Sequence, residues 1–184
     1  MWQMVYYHVS SQLYVGYIIH PLQKTFNGWS KIAYDADIHH YADFTKFYDL
    51  LMKSDVLQDT GRTPEKWLCE SLFESVRKQR YLDCPTRIYG TFLCKELDNS
   101  RIFNNEERKG KGTIFMVDTK NTVDFFDMQL FTDAEISLYQ GLNEKIYQEC
   151  FGLAVKYWES RNNEMISKKE YICMENLLLC GKVD

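Results

Sequence analysis

The chain has 184 residues, with 22 Lys and Arg against 26 Asp and Glu and a formal net charge of −4. That balance excludes a generally basic, phosphate-coating surface and leaves room only for a local basic patch. The 45% hydrophobic content, with 13 Tyr and 11 Phe, supplies the burial that a disordered chain lacks. One domain over residues 1–184 is expected, long enough to bury about two-thirds of its unfolded surface.

The six cysteines, Cys69, Cys84, Cys94, Cys150, Cys173 and Cys180, form no Cys-x-x-Cys pair. The start shows no charged region followed by an apolar one, and no apolar run approaches the roughly 18 residues that span a bilayer. A cytoplasmic protein with buried, reduced thiols and no membrane contact is expected.

In chain order, Val5–Ser10 reads as a strand with Val5, Tyr7 and Val9 on one face and Tyr6, His8 and Ser10 on the other. A short extended piece, Leu13–Val15, runs into Gly16. Tyr17–Asp35 reads as irregular, broken by Pro21, Asn27 and Gly28. Asp37–Ser54 is expected to be helical, with Phe44, Phe47, Leu50 and Leu51 inward. A clear helix start follows: Thr63 caps, Pro64 takes the first helical position and Glu65 meets the positive end of the dipole. Leu68, Leu72 and Val76 form its apolar stripe, and Arg77, Lys78 and Arg80 end it.

Pro85 opens an expected strand from Arg87 to Cys94, and a short helix is expected at Glu96–Phe103. Arg108–Gly112 is a charged turn. Thr113–Asp118 and Val123–Met128 read as strands around a Lys120-Asn121 turn. Thr132 to Glu135 fits the capping box and predicts one long helix to about Ser160, kinked at Gly141 and Gly152. Tyr171–Leu179 closes the pattern as one or two strands. The class is α+β with a mostly antiparallel or mixed sheet.

Metal and thiol chemistry find little support. His39 and His40 are adjacent and point apart, and no second pair stands at ligand spacing, so no metal is expected. Gly110 and Gly112 lead into a strand, the wrong context for a dinucleotide loop. Three pieces stand out. His8 sits between polar-tipped Tyr6 and Ser10, either as a satisfied ring or lining a wet cleft. Arg87, entered through Pro85 and Thr86, is either a solvated edge residue or a phosphate fork, with Gly90 allowing close approach. Glu175 interrupts an apolar run and must face solvent, pair with a cation or line a site.

The order of these pieces carries a resemblance. It runs from Tyr7-His8-Val9-Ser10, through Leu72-Phe73-Glu74-Ser75-Val76-Arg77 and Pro85-Thr86-Arg87 with Thr91-Phe92, to Tyr157-Trp158 and Glu175-Asn176-Leu177-Leu178. Over roughly Tyr6 to Val183 it resembles a group of small bacterial and phage proteins. That group is similar to the ADP-ribosyltransferase superfamily, which includes diphtheria-toxin-like and poly(ADP-ribose)-polymerase-like enzymes and RNA 2′-phosphotransferases.

The resemblance implies split, curved mixed or antiparallel sheets with flanking helices, and NAD as substrate. It implies that His8, with Val9 beside it, contacts ribose or pyrophosphate. Thr91 would help form the nicotinamide pocket, Thr86 and Arg87 would line its entrance, and Glu175 would be the catalytic acid. The acceptor would be a macromolecule, nucleic acid or protein, in a toxin or phage–host conflict setting with an antitoxin or regulatory protein as partner. Thr91 stands where many members have Ser, and no second acid precedes Glu175, which disfavours arginine as acceptor. The alternative is a catalytically inactive nucleotide-, RNA- or protein-binding module of the same fold. For either reading, Arg77-Lys78-Arg80 and Arg108-Lys109-Lys111 are solvated ends or a local phosphate-contacting rim.

Overall fold

The computed structural model describes residues 5–21, 28–121 and 123–183. Among them stand seven strands and seven helices: β1 Val5–Ser10, β2 Ile18–Ile19, α1 Gly28–Asp35, α2 Tyr41–Met52, α3 Val56–Thr60, α4 Pro64–Arg80, β3 Thr91–Leu93, α5 Leu97–Arg108, β4 Thr113–Asp118, β5 Asp124–Asp127, α6 Met128–Tyr139, α7 Glu144–Glu159, β6 Lys169–Cys173 and β7 Leu177–Val183. The class is therefore α+β, with antiparallel pairing wherever register is defined. No helix among the described residues is long and apolar enough to cross a membrane.

The chain divides into two compact units, each assembled from separated segments. The first comprises residues 1–24, 89–125 and 170–184, the second residues 25–88 and 126–169. The boundaries fall inside β5 and β6.

The first unit carries the sheets. One has strand order β1-β4-β7-β2, and the other has order β3-β6-β5. Tyr7 of β1 is bridged to Cys94, just past β3, and each amide donates to the other residue's carbonyl at 2.8 and 2.9 Å. Leu177 and Leu179 of β7 are buried in alternation, whereas β4 buries neighbouring Ile114 and Phe115 as well as Val117. In β1 both Tyr6 and Val9 are buried, although a strict period of two puts them on opposite faces. The strand is therefore covered on both sides, with α5 among its neighbours. The expected extended piece before Gly16 is instead a turn, closed by the Tyr17 amide on the Tyr14 carbonyl at 3.1 Å. Gly16 sits at φ +89°, a backbone that side chains resist, and the strand begins later, at Ile18.

The second unit is helical and built around α4. Thr63 accepts the Lys66 amide and Pro64 opens the helix, as expected. The stripe of Leu68, Leu72 and Val76 is buried, but burial runs unbroken from Trp67 to Arg77. α1, α2, α6 and α7 all pack on this helix. Its buried hydroxyls are satisfied by its own backbone: Ser71 bonds the Trp67 carbonyl at 2.7 Å and Ser75 the Ser71 carbonyl at 2.8 Å. Trp158 of α7 donates its indole N–H to the Phe73 carbonyl at 2.9 Å.

Other boundaries differ from expectation. α1 occupies part of the segment read as irregular, while Asn27, expected to break it, lies outside the described residues. α2 starts at Tyr41, because the Asp43 carboxylate accepts the amides of His39 and His40 at 3.2 and 3.1 Å and holds them outside the helix. The single long helix from Thr132 is two helices. Asp127 caps α6 through the Gln129 amide, and Thr132 lies inside it with its hydroxyl on the Met128 carbonyl at 3.1 Å. Gly141, at φ +137°, stops α6, and Asn143 caps α7 through the Ile146 amide at 3.0 Å. Gly152 lies within α7 without ending it.

Candidate functional site

Three expected site residues, His8, Thr91 and Glu175, belong to the first unit. His8 is half-buried on β1, in register with Phe115 of β4. Its Nδ1 lies 3.0 Å from the Phe92 carbonyl on β3. A carbonyl only accepts, so Nδ1 is the donor in this bond, and in the matching tautomer Nε2 has acceptor character suited to a hydroxyl. Val9 follows as a core residue. A Cβ built on Gly112 would come within 2.6 Å of Val9 Cγ1, so glycine there is what lets the turn after α5 close on β1. That turn is held by the Asn104 side chain, which accepts the Gly112 amide at 2.8 Å and donates to the Gly112 carbonyl at 2.9 Å.

The expected strand from Arg87 is shorter, because turns occupy the residues up to Gly90 and only Thr91–Leu93 pair with β6. Thr91 stands opposite Cys173, and Leu93 opposite Tyr171. Among the described residues, Thr91 Oγ1 is the one buried side-chain oxygen or nitrogen without a hydrogen-bond partner. A buried polar group left unpaired costs about 1–3 kcal/mol, and folded proteins seldom keep one without a reason.

Two further groups lie close by. Burial pushes the Cys173 thiol up, partly offset by the Glu175 backbone N–H that its sulfur accepts. Burial likewise raises the Tyr6 hydroxyl, partly offset by the Val123 backbone N–H. The Tyr6 ring meets Tyr171 edge to face at 5.5 Å between centroids. Glu175 itself is not on a strand. It sits half-buried in the connection from β6 to β7, and its Oε1 accepts the side-chain amide of Asn121. Glu170, the other acid of this segment, is buried in β6.

Thr86 and Arg87 lie in the second unit, where the protein itself engages them. Arg87 turns inward rather than out as a phosphate fork. Its Nε is 3.0 Å from Glu70 Oε2, its Nη1 donates to the Tyr157 hydroxyl at 2.8 Å, and its guanidinium lies 3.8 Å from the Phe131 ring centroid. Burial alone would push the Glu70 carboxyl up. The Arg87 charge and hydrogen bonds outweigh it and hold the carboxyl below its ordinary value. Thr86 donates to Glu74 at 2.8 Å, and Glu74 also binds Arg77 at 2.7 Å. In the cluster Arg77-Lys78-Arg80, the first two residues are committed within the protein, and Arg80 is exposed. Arg77 is buried with Glu74, Lys78 donates to the Tyr34 and Ala36 carbonyls at 2.7 and 2.8 Å, and Arg80 covers Phe151. Arg108, Lys109 and Lys111 remain on an exposed turn of the first unit.

Sequence reasoning alone does not reach Asn121 or Cys173. Asn121 reads as one half of a hairpin turn, and Cys173 as one of several core thiols. The only local signal is that Asn121 begins a segment leading into the apolar Val123.

The sequence model of a family described as Protein of unknown function (DUF2441) matches residues 6–184. No curated protein matches the chain.

Proposed function

We propose that the chain, which belongs to the DUF2441 family, is an NAD-dependent ADP-ribosyltransferase acting on a macromolecular acceptor. One observation carries the reading. Three residues distant in sequence, each of a type suited to a nucleotide, belong to the first unit and are linked to β3 and β6 or the connection after them. His8 on β1 bonds the Phe92 carbonyl of β3, Thr91 of β3 pairs with Cys173 of β6, and Glu175 follows two residues later. The two sheets, joined at Tyr7 and Cys94, support the same reading as a split-sheet fold.

In this mechanism His8 Nε2 accepts a ribose hydroxyl, and the Thr91 hydroxyl finds in the nicotinamide amide the partner it lacks. The C1′–nicotinamide bond breaks with its electron pair leaving on nicotinamide. Positive character develops at C1′, where the Glu175 carboxylate stabilises it more than the ground state. The acceptor nucleophile bonds C1′, and its proton passes to the Glu175 carboxylate and then to water. Thr86 and Arg87 take no part in NAD contact in this account. They fix the segment before β3 by their bonds to α4.

A second reading, a catalytically inactive nucleotide-, RNA- or protein-binding module, is favoured by that same commitment of Arg87, which leaves the pyrophosphate without its expected fork. NAD labelled on adenine, incubated with the protein alone and with cell lysate, separates the two. Transfer predicts released nicotinamide and labelled macromolecules, sensitive to nuclease or protease according to the acceptor. A binding module predicts neither.

A further inference from the structure

The two connections that carry the chain between the sheets of the first unit are tied together. Residues 119–123 lead from β4 in the four-stranded sheet to β5 in the three-stranded one, and residues 174–176 lead back from β6 to β7. The Asn121 Nδ2 amide donates to Glu175 Oε1 across them. The Asn121 end of that bond is itself anchored. The buried Thr119 donates its hydroxyl to the Asn121 carbonyl at 3.0 Å.

We infer that Asn121 is a positioning residue for Glu175, an assignment that rests on the ADP-ribosyl transfer reading above. The bond to Oε1 restricts rotation of the carboxylate and leaves Oε2 to act on the ribose. A carboxamide suits this task because it is neutral. An ammonium or guanidinium in its place would orient the acid equally well but offset the negative charge that the developing oxocarbenium requires. The anchoring of Asn121 through its own carbonyl matters for the same reason: a donor on an unrestrained loop would follow the carboxylate rather than hold it.

The test uses the full chain with Asn121→Ala and Asn121→Asp. Asn121→Ala is expected to lower kcat about tenfold or more with KM for NAD nearly unchanged and the unfolding midpoint retained. Asn121→Asp, which loses the donor and adds a like charge, is expected to lower kcat further. Unchanged kcat in Asn121→Ala alongside an active wild type overturns the assignment. A second measurement needs no NAD chemistry: the NMR resonances of the Asn121 side-chain amide are expected to move in Glu175→Ala. If the wild type turns over no NAD, the transfer reading fails, and this measurement still decides the contact. Unmoved resonances overturn it.

Discussion

Thr91 and Cys173 face each other across the β3–β6 ladder, both enclosed, and the Thr91 hydroxyl finds no hydrogen-bond partner among the described residues. A buried hydroxyl left unpaired in this way destabilises the fold. Thr91→Val keeps the shape and removes the hydroxyl, so it is expected to stabilise the fold by about 1–3 kcal/mol while weakening NAD affinity. Urea titration and NAD binding by calorimetry measure the two effects. A loss of stability would show that the hydroxyl is bonded in the folded protein.

The pair of Glu70 and Arg87 is buried at both ends. Glu70→Ala leaves a buried guanidinium without its carboxylate and is expected to cost about 3–5 kcal/mol. The pair also sets an acid limit. Because the folded protein holds the Glu70 carboxyl below its ordinary value, its contribution is fully present above the unfolded carboxylate pKa of about 4.3. It is lost as pH falls through the lower, folded value. Unfolding midpoints of wild type and Glu70→Gln between pH 7 and pH 3 are expected to converge toward the acid end. A gap that stays constant across this range contradicts the argument.

Thr132 and Asn143 offer a direct contrast. Thr132 lies inside α6 with its hydroxyl on the Met128 carbonyl, whereas Asn143 caps α7. Thr132→Ala is expected to be neutral or to stabilise by a few tenths of a kcal/mol, roughly the difference in helix propensity. Asn143→Ala is expected to cost about 1 kcal/mol. Thermal or urea midpoints of the two variants check the ordering, and the reverse order would restore a cap at Thr132.

The same pair shows what a sequence can and cannot disclose. Thr63-Pro64-Glu65 is a local signal, and the helix it opens begins where it says. Thr132 to Glu135 is an equally good local pattern, yet it is overridden because Asp127 at the end of β5 starts the helix a turn earlier. The break at Gly141 depends on a single positive φ that composition does not reveal. Arg87 reads as outward because its partner, Glu70, lies 17 positions earlier on a helix whose polar residues look solvent-facing. In α4, four packed neighbours bury the face that holds Glu70 and Glu74. His8 and Thr91 are legible as polar residues in apolar strands and Glu175 as an acid in an apolar run, although Glu175 lies in the connection between β6 and β7. The tie from Asn121 to Glu175 was not, because it joins two connections 54 positions apart.

The thiols differ in reactivity by burial. Cys180 is exposed, whereas burial pushes Cys94 to about 11 and Cys150 to about 12, and Cys69 well above its ordinary value. At pH 8 a disulfide reagent is expected to titrate one thiol rapidly in the native protein and the remaining five only after unfolding, given the six free cysteines. Rapid native reaction of Cys69 or Cys150 would contradict their enclosure, since only the thiolate attacks.

Glu175→Gln bears most directly on the proposed transfer. Gln keeps the size and an oxygen for hydrogen bonding but removes the charge that acts on the oxocarbenium-like state. The measurement is nicotinamide release from NAD by wild type and Glu175→Gln, with NAD affinity and the unfolding midpoint determined in parallel. The account predicts release by the wild type, and in the variant a loss of about a hundredfold or more, on the order of 3 kcal/mol, with binding and stability retained. Release by Glu175→Gln at the wild-type rate would contradict it.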